Sequence, residues 1–177
     1  AGCAVGCVFC VTGALGAGRN LTGGEIFGQY RVMVRTQALL GAPLNVVFMG
    51  MGEPLLNIPG IARAIELLAE TVSPRRVTVS TSGIVPAIAR LGELPRRPNL
   101  AVSLNATTQE QRARLMPLAA RWDLADLLDA MRRQGTTVRW YSMPGIRATS
   151  AAPAASRCAQ TEGVHSEEDT ARGGAPA

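Results

Sequence analysis

Short β-branched or apolar runs alternate with helix-period segments along most of the 177-residue chain. The runs fall at 45–49, 76–80, 99–104 and 137–141, and amphipathic segments fill the spaces between them. Parallel strands need crossover connections, usually helical, so this alternation predicts βα units and a parallel sheet. Thr22 and Glu25 have capping-box spacing and open a helix expected to run to about residue 40; Thr107 and Glu110 repeat the signal. Leu124, Leu127, Leu128 and Met131 recur at i, i+3, i+4 and i+7, with Gly135 placed to end that helix. Ile61, Ile65, Leu68 and Val72 form a similar stripe after Pro59. These stripes face a core and carry no chemistry.

Hydrophobic content of 47% with 18% charged residues excludes wholesale disorder, and no apolar run approaches the roughly 18 residues of a membrane-spanning helix. Every basic side chain other than His165 is an arginine, and the net charge of +5 permits an acidic partner such as RNA without specifying a fold. From Ala148 onward the chain changes character: Ala, Ser, Thr, Gly and Pro dominate, Glu167-Glu168-Asp169 adds negative charge, and Val164 is the only β-branched aliphatic residue. A segment with so little to bury is expected to be a disordered, low-complexity tail over 148–177, behind a single core over 1–147. No secretory leader is visible, which gives a cytoplasmic expectation. The chain begins without Met, inside a cysteine motif, so it is expected to be an internal piece of a longer protein.

Cys3, Cys7 and Cys10 fall within eight residues in a C-x3-C-x2-C spacing, with Gly6 suiting a tight loop. Such a loop can aim three thiolates at one centre. Zinc would want a fourth protein ligand, and the remaining candidates, Cys158 and His165, lie in the tail. An iron–sulfur cluster held by three thiolates would keep one iron open to an exogenous ligand. A disulfide beside a free thiol fits a clustered triplet poorly.

With Phe9 included, the C-x3-C-x-aromatic-C pattern resembles the signature of the radical S-adenosylmethionine (SAM) enzymes. Residues 1–13 resemble one branch in particular, the RlmN-type methyltransferases that modify adenosine C2 in ribosomal and transfer RNA. The resemblance implies a partial, truncated parallel (β/α) barrel whose first strand precedes Cys3. It implies a 4Fe-4S cluster on Cys3, Cys7 and Cys10, with SAM chelated to the open iron. Partners implied with it are large-subunit ribosomal RNA, transfer RNA and an electron donor such as flavodoxin or ferredoxin.

The strand ends carry further motifs. Gly50-Met51-Gly52-Glu53-Pro54 is a Gly-rich turn bearing one carboxylate; by itself it reads as an ordinary βα turn. It is close to the family's SAM-amine motif, which makes Gly52 and Glu53 SAM ligands by resemblance. Ser80 ends the second strand, and Ser103-Leu104-Asn105 ends the third, where parallel α/β folds place ligands. Each alone reads as a helix N-cap; the resemblance makes them contacts for the ribose and carboxylate of SAM. Some members carry His where this chain has Asn105. Arg75, Arg76, Arg96, Arg97, Arg112, Arg114, Arg132 and Arg133 are available for RNA phosphates, though such arginines are more often solvated helix ends.

The resemblance fades after Ile146. In the family the barrel continues, supplies a further SAM-contacting Asn and reaches a cysteine that is methylated as an intermediate. A second catalytic cysteine lies just before the cluster motif. Cys158 does not match the surroundings of the methyl-carrying cysteine, so no catalytic cysteine is assigned in this chain. Two rivals share the cysteine motif: another radical SAM enzyme, such as an activase of glycyl-radical enzymes, and a noncatalytic metal-binding remnant.

Overall fold

The computed structural model describes residues 2–134 and 138–141. Its sheet has four strands, β1 (Val46–Phe48), β2 (Val77–Thr81), β3 (Asn99–Ser103) and β4 (Val138–Tyr141), hydrogen-bonded in chain order. All three pairings are parallel; Val79 stands beside Phe48 and Leu100, Ser80 beside Ala101, and Leu100 beside Val138. Each expected apolar run therefore holds a strand, and among the described residues the sheet is open, as a partial barrel requires. Gly135 and the segment 148–177 lie outside the described residues.

Among the described residues six α-helices accompany the strands: α1 (Val11–Ala14), α2 (Gly23–Thr36), α3 (Ile58–Leu68), α4 (Val85–Gly92), α5 (Gln109–Leu115) and α6 (Leu124–Arg133). The Thr22 capping box is formed: the Glu25 N–H donates to the Thr22 hydroxyl, and the Thr22 N–H donates to the Glu25 carboxylate. The helix it opens stops at Thr36, short of the expected residue 40. The Thr36 hydroxyl bonds back to the Val32 and Met33 carbonyls, and Ala38 adopts a left-handed φ of 51°, which a right-handed helix cannot continue through.

A second correction concerns α5. Its N-cap is Thr108, not Thr107: Thr108 is extended and accepts from the Gln111 N–H at 3.3 Å. That register puts Glu110 one position too early for a capping box, and it pairs instead with Arg114 one turn on, at 2.6 Å.

Alternation along β2 and β3 sends Val77, Val79, Leu100 and Val102 to the helix-covered face, where all are buried. They meet Ile61, Ile65 and Leu68 of α3, Ile88 and Leu91 of α4, and Leu127 and Met131 of α6 in one hydrophobic cluster. Each fully buried Leu or Ile contributes about 1.5–3 kcal/mol, so this cluster holds the helices on the sheet. The opposite face of the same strands carries Ser80, Ala101 and Ser103. Their small side chains leave space there, and the functional residues gather over it.

Candidate functional site

The cysteine loop and the carboxyl ends of β1, β2 and β3 meet at one pocket of about 160 Å³. Cys3, Cys7, Cys10, Gly52, Glu53, Ser80, Ser103 and Asn105 all line it. Small-molecule clefts are commonly ~300–1,000 Å³, so the described residues form the floor of a site rather than an enclosed chamber. Leu104 is placed differently: its side chain is buried in the helix–sheet core, leaving only its backbone available to a ligand. A larger groove of about 390 Å³ lies between α4 and α6, lined by residues such as Pro86, Ala89 and Arg133. It holds no cysteine and no strand-end residue, so chemistry rather than size identifies the site.

Local hydrogen bonds shape the cysteine loop. The Cys10 N–H donates to the Cys7 carbonyl, the Cys3 N–H to Gly16, and the Val8 N–H to Leu115 at the end of α5. Val5 is buried beneath the loop. All three thiols are free and partly accessible. Burial, and then the neighbouring thiols of Cys3 and Cys10, push Cys7 up from 9.0 to about 11. Cys10 is shifted the other way, chiefly by the Gly13 N–H and also by Thr12. A pocket that crowds thiols against one another disfavours charge on them until a cation shares it.

Among the described residues no three His, Cys, Asp or Glu side chains are grouped around one metal-ion position. An iron–sulfur cubane makes a different demand, because each thiolate binds its own iron. Three free cysteines lining one pocket, with Cys3 and Cys10 near enough to raise the cost of charge on Cys7, fit that donor set.

Glu53 is the structural centre of the floor. Its Oε1 accepts from the Leu55 N–H at 3.0 Å and the Thr81 hydroxyl at 2.6 Å. Its Oε2 accepts from the Ser82 N–H and the Ser82 hydroxyl, both at 2.7 Å. A carboxylate offers about four lone-pair sites, and these donors take them up. Glu53 thus fastens the turn after β1 to the end of β2. Gly52 precedes it with a φ of +107°, and a Cβ there would stand 2.9 Å from the Gly2 carbonyl. Glycine is required for both the backbone conformation and the close approach to the cysteine loop.

Asn105, at the end of β3, is buried in a left-handed conformation with φ 58°, and its Nδ2 donates to the Met116 sulfur at 3.3 Å. Asn tolerates this backbone state better than most residues. Thr81 and Ser82 belong to the site as well, though sequence reasoning singled out only Ser80 from that run; the signal was present in Ser80-Thr81-Ser82-Gly83 itself.

The arginines divide. Arg75, Arg76, Arg96, Arg97, Arg114, Arg132 and Arg133 are exposed, as solvated arginines should be. Arg112 is not: it is 1% exposed, and its Nη2 donates to the Ser82 carbonyl. The expectation that it is available to RNA phosphates is therefore corrected. Its place in α5 turns it inward beneath the Ser82–Gly83 turn, away from solvent.

Residues 1–152 match the family described as the Radical SAM superfamily. A probable dual-specificity RNA methyltransferase RlmN of Koribacter versatilis is 48% identical over 155 residues, covering 82% of this chain and 45% of that protein. A dual-specificity RNA methyltransferase RlmN of an Anaeromyxobacter species is 52% identical over 141 residues, covering 74% of this chain and 37% of its own. The chain thus spans less than half the length of these curated relatives. A crystal structure of a radical SAM methyltransferase from Sphaerobacter thermophilus superposes with a TM-score of 0.74 at 42% identity, covering 78% of this chain and 43% of that one.

Proposed function

Because the chain belongs to the radical SAM superfamily, we propose that its three-cysteine pocket holds a 4Fe-4S cluster and SAM, and that the whole protein methylates adenosine C2 in large-subunit ribosomal RNA and in transfer RNA. The RNA reading draws on the RlmN relatives. The observation that carries the site is the convergence of Cys3, Cys7 and Cys10 with Gly52, Glu53, Ser80, Ser103 and Asn105 on one pocket. When bound, the cluster and SAM supply a carbon-centred radical, chemistry that no side chain of the pocket can provide.

The chain's own residues bind and orient. Cys3, Cys7 and Cys10 would supply the thiolates for the cluster, and in the metal-free pocket burial and its neighbouring thiols hold the Cys7 sulfur protonated. Glu53 acts first as a fastener, since its oxygens are already engaged by Leu55, Thr81 and Ser82. The Glu53 and Pro54 carbonyls already accept from Leu56 and Asn57, so the carbonyls of Gly50, Met51 and Gly52 would be the turn's acceptors for the SAM ammonium group. Ser80 and Ser103 present hydroxyls from one face of the sheet, and Asn105 an amide from the adjoining turn, toward ribose and carboxylate. The rigid end of a parallel sheet keeps these groups in fixed relation, which is what orientation of a reactive cofactor requires.

The partner set proposed with this reading is RNA and a reduced flavodoxin or ferredoxin, in the cytoplasm. Among the described residues no helix is long and apolar enough to cross a membrane.

Anaerobic reconstitution with iron and sulfide, followed by metal analysis and an assay for 5′-deoxyadenosine from SAM and dithionite, tests the site. Equal iron and sulfide with SAM cleavage is the expected result; zinc, or no metal in a folded sample, would overturn it. Methylation at adenosine C2 in RNA from a strain lacking the intact gene tests the substrate. Unchanged RNA there would favour another radical SAM reaction.

A further inference from the structure

Arg112 is the only buried charged residue among the described residues, and its surroundings are unusual for a guanidinium. Its Nη2 donates to the Ser82 carbonyl, and among the described residues its buried Nε has no hydrogen-bond partner and no carboxylate pairs with the guanidinium. Guanidinium does not lose its proton in proteins, so it cannot escape burial by neutralising. An uncompensated buried charge costs several kcal/mol, and structures that retain one have an anion for it. Four exposed arginines, Arg19, Arg63, Arg114 and Arg132, in contrast pair with Glu25, Glu66, Glu110 and Asp129.

Ser82, whose carbonyl accepts from Arg112, also holds the Glu53 carboxylate, and the cysteine loop is tied to the helix that carries Arg112. The Val8 N–H, one residue beyond Cys7, donates at 3.0 Å to the Leu115 carbonyl in the helix that carries Arg112. Burial lowers the tendency of Arg112 to hold its charge, and the Cys7 sulfur is the group that counters this. Arg112 is also confined. A Cβ at Gly83 would stand 3.1 Å from its Nη2 and 2.9 Å from the Leu127 side chain, so the guanidinium is pressed between turn and core.

We propose that Arg112 is the built-in counter-charge of the cysteine pocket, and that it raises the reduction potential of the iron–sulfur cluster held there. The inference rests on the reading of the pocket as a cluster site. Three thiolates carry net negative charge onto a cluster, and each added electron increases it. A fixed cation in a low-dielectric position beside one ligand stabilises the reduced form more than the oxidised form. It does so without touching the cluster or SAM, as a positioning charge rather than a catalytic group. The same side chain holds the Ser82 carbonyl while Ser82 holds Glu53, so the charge is anchored to the frame that fixes the SAM turn.

The test uses the full chain, reconstituted anaerobically, as wild type, Arg112→Lys and Arg112→Gln. Iron and sulfide content are measured for each, and the midpoint potential is taken from a dithionite titration followed by electron paramagnetic resonance of the reduced cluster. The expected result is a Lys variant near wild type and a Gln variant shifted to a more negative potential with equal iron. An unshifted Gln variant, or equal shifts in Lys and Gln, would overturn the inference, because charge would then not be the operative property. So would failure of both variants to fold or to retain iron, which would make Arg112 a support for Ser82 only. A wild-type chain that takes up no cluster would overturn the reading of the pocket, and the inference with it.

Discussion

Ser82 holds the Glu53 carboxylate through both of its own donors, the backbone N–H and the hydroxyl each lying 2.7 Å from Oε2. Leu55 and Thr81 hold the other oxygen. In Glu53→Gln the hydroxyls of Thr81 and Ser82 can rotate to accept from the new amide, but the backbone N–H groups of Leu55 and Ser82 cannot. Whichever way the amide is turned, one N–H faces a donor. The expected cost is about 1–3 kcal/mol, the range for leaving a buried donor unpaired. If that loss falls on the bound geometry, SAM affinity drops roughly tenfold, since ~1.4 kcal/mol is a factor of ten. Iron content should stay unchanged. Calorimetric titration of SAM into the reconstituted variant checks this, and wild-type affinity would show that the fastening does not matter to the cofactor.

Gly52 controls a different contact, between the β1 turn and the cysteine loop. Gly52→Ala combines a strained φ with a Cβ 2.9 Å from the Gly2 carbonyl, one residue before Cys3. Backbone strain of this kind costs about 1–3 kcal/mol, and relieving the contact moves the loop. Iron retained after desalting should fall. Gly50→Ala, where a Cβ meets open space, should retain iron like wild type. Equal retention in both variants would mean that the loop yields without consequence.

Leu127, 1% exposed, sits where the core meets the turn after β2. Leu127→Ala should lose about 2–5 kcal/mol through transfer and cavity terms. Leu128, which is only partly buried against the same cluster, should lose less on the same substitution. Urea unfolding of the two variants decides between them: equal losses would remove Leu127 from its place in the core.

The strands and most helices were legible because their signals are local and periodic. The Leu124, Leu127, Leu128 and Met131 stripe and the Thr22 capping box are where periodicity and spacing put them. Boundaries slipped where a single hydroxyl or dihedral decides, as at Thr36 and Thr108. The pocket residues were legible as strand-end motifs, and only the resemblance joined them into one site. What sequence could not reveal was partnership over long separations. Glu53 and Ser82 are 29 residues apart, and Arg112 and Ser82 are 30 apart. An arginine in a helix reads as solvated unless its neighbours in space are known, and Leu104 reads as a pocket residue until the strand's alternation is fixed.

The two shifted thiols predict opposite behaviour in the metal-free chain. Cys10 is held below its ordinary value by the Gly13 N–H, so it reaches the reactive thiolate form at lower pH than Cys7, which burial and its fellow thiols push up to about 11. Iodoacetamide near neutral to mildly alkaline pH should therefore label Cys10 well before Cys7, as read by mass spectrometry of the separated peptides. The same shifts set a pH dependence of folding. A raised thiol stays protonated in the folded chain over a range where the unfolded chain has lost its proton. The contribution of Cys7 to stability is thus fully present below 9.0 and is lost as pH climbs through about 11. The contribution of Cys10 runs the other way: it is present above the ordinary value and disappears as pH falls through its lowered one. Unfolding of the metal-free chain between pH 9 and 11 should show a decline that Cys7→Ser removes. Faster labelling of Cys7 than Cys10, or a decline that survives Cys7→Ser, would mean that the pocket does not crowd its thiols in solution.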